Sequence, residues 1–487
     1  MASILYHVGN LHLECGDFDS SRKAYERSLK IQARVDTVTN EILPAIDALC
    51  SIYEGTDKIE NAMGCFDETL KALSKKKSKL KTQTTVELLL RMGDICMYKA
   101  SDIGRALRCF EGALQTLLQT DEKGDDGMLS KAYLKVALTL IALKKYKKSI
   151  EYLKKALAIC KEIYGVDNLH TVRVLISLGE AYTKSKETKR GVDFLHQATR
   201  SIQSISEDPV EKARSLHELG VILFGVGEVR TARVCLEDAL YVRKDALGLD
   251  DITVAEGCDC LGGIHASIEN NELALKYFED ALRIRRKTMG ANDDEVLDTM
   301  SKIACVFAKR GKFQKSLSLY SQVIGGLSRK KSEWTQKKII QVRILMGHVC
   351  VEMKDFDNAL QNYGEVIRTE YLTIEDAISI MSSRRAVGII LSKEGNRDAA
   401  LKILGETLLL AQKTLRETHE EFANTLSDIG SVHYAWGDSK QAIDNYNIAL
   451  RLLKNNKRTK EDSPSILQTK ERLQVAMSRA ENGQNMS

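Results

Sequence analysis

One phrase recurs along this chain, and its period limits the folds open to it. Leu261–Gly290 reads LGGIHASIENNELALKYFEDALRIRRKTMG, and Leu219–Gly248 reads LGVILFGVGEVRTARVCLEDALYVRKDALG. A small residue behind an apolar one serves as a landmark: Gly9, Cys50, Gly93, Ala137, Gly179, Gly220, Gly262, Ala304, Gly347, Gly388 and Gly430, spaced 41 to 44 residues apart. Twelve residues on (thirteen in the third unit) stands a small residue: Ser21, Ala62, Ala106, Ser149, Gly191, Ala232, Ala274, Ser316, Ala359, Ala400 and Ala442. Four further stands a large apolar one: Tyr25, Phe66, Phe110, Leu153, Leu195, Leu236, Phe278, Tyr320, Tyr363, Leu404 and Tyr446. Eleven units follow one plan.

The spacing dictates helices. Apolar positions four and one before the landmark and three after it trace one helical stripe. The second segment repeats small, large, small at steps of four and three, so a second helix can approach closely with a large side chain between. Breaker-rich turns such as ECGDFDS, SKEGNRD and AWGDSKQ separate the two. The 487 residues include 3 Pro, the residue that helix interiors tolerate least. Each unit is therefore a helical hairpin with one apolar face open, and it buries that face against the next hairpin. The expected fold is all-α: a right-handed superhelix of eleven hairpins over residues 1–455. A polar basic linker over 456–463, a capping helix over 464–482 and a frayed tail over 483–487 complete it. In the capping helix Ile466, Leu467, Leu473, Met477 and Ala480 are expected to share the buried face. No comparable cap precedes repeat one, which leaves either further residues upstream or self-association through that face.

A Gly landmark, an Ala after the turn, an aromatic or Leu and another Ala resemble the tetratricopeptide repeat. The repeat length of that family is about 34 residues. The longer period here, with ALAICKEIYGVDNLHTVRVLISLGEAY and ALRIRRKTMGANDDEVLDTMSKIACVF, resembles its kinesin light chain type. In these stretches the second helix ends at a Gly, and an acidic link leads into the next helix. The resemblance implies a protein-binding solenoid without catalysis. The family's paired Asn before the landmark is replaced here by His217-Glu218, Asp259-Cys260, Ser301-Lys302 and Ser427-Asp428, and no heptad coiled coil precedes repeat one. The motor-subunit role is therefore not carried over. The carboxylate clamp of other such repeats is not carried over either. Asn10 follows Gly9, but Tyr6 stands where the clamp needs Lys and Ser51 where it needs Asn.

Composition narrows the function. A net charge of +5 among 139 charged side chains is far from the basic domain of a nucleic-acid binder. The 11 Cys include no C-x-x-C pair; with no leader and no apolar run long enough to span a bilayer, a cytoplasmic (or nuclear) location is expected. Cys65, Cys109 and Cys235 each precede the large residue of a second helix, as packing residues would. In Cys258-Asp-Cys260 one thiol is expected to face the core and the other to face outward. No zinc-helix signature or phosphate loop is present; FGVGEV is the turn of repeat six, with no strand before it. Neither a cofactor nor a small-molecule substrate is expected. Lys-rich stretches at 71–81, 143–155 and 451–460 fall on second helices and links, where solvated surface is the first expectation and an acidic partner or a nuclear import signal the alternatives.

The partner site is expected on the wall of first helices. Six residues before the landmark, repeats three to eight read Glu87, Lys131, Arg173, Arg214, Glu256 and Asp298. Three cations are followed by two anions, and His217 and Asp259, three before their landmarks, continue that order. A groove binding an acidic protein or peptide segment through Lys131, Arg173, Arg214, His217, Glu256, Asp259 and Asp298 is one account. The other is that Glu87, Glu256 and Asp298 neutralise the row in weak surface pairs. The functional expectation is a scaffold or adaptor. A regulatory or assembly subunit of a larger complex is the alternative: a cargo adaptor like the kinesin light chain, or a self-assembling structural unit.

Overall fold

The structure, a computed structural model, describes residues 1–34, 44–46, 48–49, 52, 63–64, 66–67, 70–71, 79–98, 102–119, 126–205, 208–330, 332–369, 373–415, 419–456 and 463–484. Cys50, Ala62, Cys65, Lys75, Lys76, Lys77 and most of the 456–463 linker lie outside the described residues, as does the end of the tail. All regular structure within the described residues is helical. The chain divides into two compact units, Met1–Leu249 with repeats one to six and Asp250–Ser487 with repeats seven to eleven and a terminal helix.

Within each unit the hairpin is the strongest packing relation. Leu169–Lys184 lies on Thr188–Ser204, Pro209–Gly225 on Val229–Leu247, Ile252–Ser267 on Asn271–Met289 and Glu420–Ala435 on Ser439–Asn455. The landmark glycines set this closeness. A Cβ on Gly179 would stand 2.5 Å from Leu195, one on Gly220 2.7 Å from Leu236, and one on Gly347 2.6 Å from Tyr363. The missing side chain is the space that the large residue fills. All eleven large residues, Tyr25 through Tyr446, are buried to 2% exposure or less, and burying one such side chain is worth about 1.5–3 kcal/mol. In two of the three repeats with Ser at the small position, its hydroxyl ties the helices together: Ser21 Oγ donates to the Gly9 carbonyl at 2.8 Å and Ser149 Oγ to that of Ala137 at 2.9 Å, whereas Ser316 Oγ makes no such bond.

The turns follow the same backbone in repeat after repeat. Seven residues past the landmark φ is positive, at Gly16, Lys144, Lys186, Gly227, Glu269, Gly311, Lys354, Gly395 and Gly437. This left-handed conformation favours Gly by about 1–2 kcal/mol over other residues. The next residue caps the second helix. Asp17, Asn270, Asp355, Asn396 and Asp438 accept backbone N–H bonds there, whereas Lys145, Glu187, Glu228 and Lys312 make no such bond. The acidic links are caps as well: Asn168, Asp251 and Asp293 accept from the amides of His170, Thr253 and Glu295, just after Gly165, Gly248 and Gly290 end second helices at positive φ.

The terminal helix, Pro464–Gln484, packs on Ser439–Asn455. Its buried stripe differs from the expected one. Ile466, Thr469 and Ala476 are buried and Leu473 is half-buried, whereas Leu467 and Met477 are 53% and 46% exposed. The stripe steps by three, four and three residues, and the small residues Thr469 and Ala476 let this helix sit close. Leu467 and Met477 lie off that track. Among the packing cysteines, Cys109 and Cys235 are buried beside their large residues; Cys258 is buried and Cys260 is half-buried.

Candidate functional site

In the first unit the three row cations stand on the first helices of repeats four, five and six. Lys131 is exposed near the start of Asp126–Ala142, Arg173 is half-buried in Leu169–Lys184, and Arg214 is 71% exposed in Pro209–Gly225. They are electrostatic neighbours. Loss of hydration and then the charge of Arg214 hold the Arg173 guanidinium below its ordinary pKa. Loss of hydration, then Arg173 and Lys131, likewise lower His170. Glu211 answers part of this charge. It pairs with Arg173 and, at 3.1 Å, with Arg214.

Nearer the landmarks the wall changes sign. Lys135 reaches Asp94 of the preceding repeat at 2.6 Å. At the same register two repeat boundaries further, between repeats five and six, Glu218 meets Glu180 instead. Lost hydration first, and then Glu180, push the Glu218 carboxyl up against the opposing pull of Arg173 and Arg214. His217 turns toward the second helix: Arg243 Nη1 donates to its Nδ1 at 3.4 Å, and burial followed by the Arg243 charge lowers the imidazole pKa to about 4. A pairing at physiological pH is thus guanidinium to neutral imidazole.

In the second unit Glu256 is exposed, while Asp259 and Asp298 are bound inside the stack. Asp259, 13% exposed, pairs with Arg285 at 3.5 Å and with Lys302 at 2.5 Å. Lys302 also meets Asp298 at 3.1 Å, and Asp298 pairs with Lys338 of the next repeat. Burial alone would favour neutral groups here. The charges of Asp259 and Asp298 nevertheless raise Lys302, and the hydrogen bond from Lys338 with the charge of Lys302 lowers Asp298. Arg285 further reaches Glu295 at 3.1 Å and Thr299 Oγ1 at 2.5 Å. These contacts join repeats seven, eight and nine.

Models of the tetratricopeptide repeat match residues 2–34, 128–204, 213–252, 251–327 and 379–455. The chain belongs to this family. Among curated proteins it is similar to Protein KINESIN LIGHT CHAIN-RELATED 1 of Arabidopsis thaliana, 23% identical over 311 residues, 59% of this chain and 49% of that one. It is also similar to Protein KINESIN LIGHT CHAIN-RELATED 2 of the same plant, 22% identical over 281 residues, 56% of this chain and 40% of that one. The chain thus spans about half the length of these relatives or less. Among solved structures it is similar to BtubC (BKLC) from P. vanneervenii, with a TM-score of 0.42 and 18% identity over 48% of this chain and 93% of that one. The repeats are of the kinesin light chain type.

Two features of these tetratricopeptide repeats escaped the sequence reading. Arg243 and Arg285 are each 6% exposed, seven residues past the large residue. In five other repeats that column is buried and small or apolar, at Cys160, Ile202, Leu327, Ala411 and Leu453. The signal was present in the columns: the same two repeats put His217 and Asp259 three before the landmark, where repeat five has Ile176. The second feature concerns the large position. Where it is Tyr, the residue after the landmark receives its hydroxyl: Tyr25 donates to Asn10 Oδ1 at 2.6 Å, Tyr446 to Ser431 Oγ at 3.2 Å, and Tyr363 meets His348 Nδ1 at 3.0 Å. Asn10, weighed as part of a carboxylate clamp, serves this packing bond.

Proposed function

We propose that this chain is a non-catalytic protein-interaction scaffold that holds acidic segments of partner proteins against Lys131, Arg173 and Arg214. The observation that carries the reading is the shared register of these cations on three consecutive first helices, with Lys131 and Arg214 open to solvent. A ligand carboxylate joins Glu211 in answering the row. Arg suits this because its planar fork gives two parallel bonds to a carboxylate. In this reading His217, Asp259 and Asp298 act indirectly, holding Arg243, Lys302 and Lys338, each within its own unit. The kinesin light chain-related relatives support an adaptor. Among the described residues no helix is long and apolar enough to cross a membrane; work in the cytoplasm or nucleus is part of the proposal.

The test is binding of a fluorescein-labelled acidic peptide to wild type and to Lys131→Glu/Arg214→Glu, with circular dichroism confirming the fold of both. The reading expects at least a tenfold loss of affinity in the variant; equal binding by both contradicts it.

A further inference from the structure

We propose that the turn edge of repeats four and five is a second docking surface, built to take an acidic, extended protein segment. Repeat four closes its hairpin with Lys144, Lys145, Lys147 and Lys148, and repeat five with Lys184, Lys186, Lys189 and Arg190. All eight are exposed. Lys184 pairs with Glu180 at 2.5 Å and Arg190 with Glu187 at 2.7 Å. Among the described residues no carboxylate lies within ion-pair distance of the other six ammonium groups. The two turns belong to neighbouring hairpins, because Tyr146–Tyr164 of repeat four packs on Leu169–Lys184 of repeat five.

The backbone gives no reason for lysine at these positions, and several reasons against it. Lys144 and Lys186 adopt φ of 60° and 72°, at the register where five other repeats use Gly. Lys145 stands at the helix N-cap without capping it, where Asp17, Asn270, Asp355, Asn396 and Asp438 each accept a backbone N–H. Lys147 and Lys148 then occupy the first turn of that helix, and no acidic residue accompanies them there. Each choice opposes stability: left-handed backbone favours Gly, N-caps favour Asp and Asn, and the positive end of the helix dipole repels cations. Repeats one and eleven solve the same turn as Cys-Gly-Asp and Trp-Gly-Asp. A sequence that breaks three local rules together, all in the direction of positive charge, is keeping that charge for contact.

The occupant follows from what the surface offers. It carries compact ammonium charges and a single guanidinium, with no large apolar or aromatic side chain exposed on either turn. Nucleobases need aromatic faces to stack on, and insertion into a bilayer needs an apolar wedge. A run of Asp and Glu side chains on a flexible backbone needs neither. This surface is separate from the Lys131 row, which lies at the opposite end of the first helices.

The decisive variant is Lys144→Gly/Lys145→Asp, which restores the turn of the other repeats. It is compared with wild type and with Lys276→Gln/Lys413→Glu, which changes net charge equally at exposed sites elsewhere. The probe is a fluorescein-labelled Glu/Asp peptide read by anisotropy, competed with phosphatidylserine vesicles and with duplex RNA. Binding is measured with Lys131→Glu/Arg214→Glu present in every protein, so that the first surface does not mask the second. The proposal expects the turn variant to melt roughly 2–4 °C higher and to bind the peptide at least tenfold more weakly than its parent, with binding by the control unchanged. Unchanged binding by the turn variant overturns the proposal. A melting temperature that does not rise overturns the argument from local stability. Displacement of the peptide by vesicles or RNA at lower charge concentration transfers the surface to that other partner and refutes the one proposed here.

Discussion

Gly262 and Gly263 are consecutive residues of one helix, and the packing account assigns them opposite responses to the same substitution. Replacing Gly by Ala in a helix interior gains about 1 kcal/mol from propensity. At Gly263 nothing opposes this, since an added Cβ meets no heavy atom within 4 Å. At Gly262 the Cβ would stand 2.7 Å from Cδ1 and Cε1 of Phe278 and 3.0 Å from Cγ. Phe278 is buried, 2% exposed, on a core helix, so overpacking costs about 1–3 kcal/mol. The difference between the two alanines cancels the helix term and the unfolded-state term, leaving about 1–3 kcal/mol of hairpin closeness alone. Urea unfolding of the full chain by far-UV circular dichroism reads this directly: Gly263→Ala unfolds at higher urea than wild type and Gly262→Ala at lower. If both shift the midpoint upward by the same amount, the landmark glycines do not set the distance between helices.

Further predictions concern the charged groups. His217 has a folded pKa of about 4 against an ordinary 6.5, so the unfolded chain binds more protons between those values and stability falls as pH drops through that window. His217→Gln should flatten the loss between pH 6.5 and 4, measured as urea midpoint against pH; an unchanged slope refutes it. Arg285→Met should destabilise the second unit by about 3 kcal/mol, because it leaves Asp259 poorly compensated, and adding Asp259→Leu should recover most of that loss. If the double variant is as unstable as the single, the network contributes more than mutual compensation. Tyr25→Phe strands Asn10 and should lower stability by about 1 kcal/mol, with Asn10→Ala not additive to it; full additivity would show that the bond is not made.

Most of the fold was legible because a repeat states its own grammar. Each column of the alignment has one physical job, so the buried fate of Tyr25, Leu195 and Tyr446 could be read before any coordinates. The terminal helix belongs to no column, and its stripe was assigned on apolarity alone; Thr469 and Ala476 proved to be the contact because closeness outranked hydrophobicity there. The candidate wall was legible as register and illegible as pairing. Lys131, Arg173 and Arg214 are on neighbouring helices as their columns implied. The partner of the latter two, Glu211, stands three residues before Arg214, outside the column read for neutralising charge. Asp259 and Asp298 answer Arg285 and Lys338, on a second helix and in the next repeat. Ion pairing depends on side-chain reach across stacked hairpins, which a column of equivalent positions does not encode.

The most direct measurement of the central claim is a mapped cross-link. A photo-reactive amino acid placed at Val221, which is 45% exposed on the first helix that carries Arg214, is irradiated in cell extract with full-length protein, and the captured segments are sequenced. The account predicts acidic stretches of partner proteins, lost in Lys131→Glu/Arg214→Glu and retained in Lys144→Gly/Lys145→Asp. Segments without acidic character, or capture indifferent to Lys131 and Arg214, would contradict it.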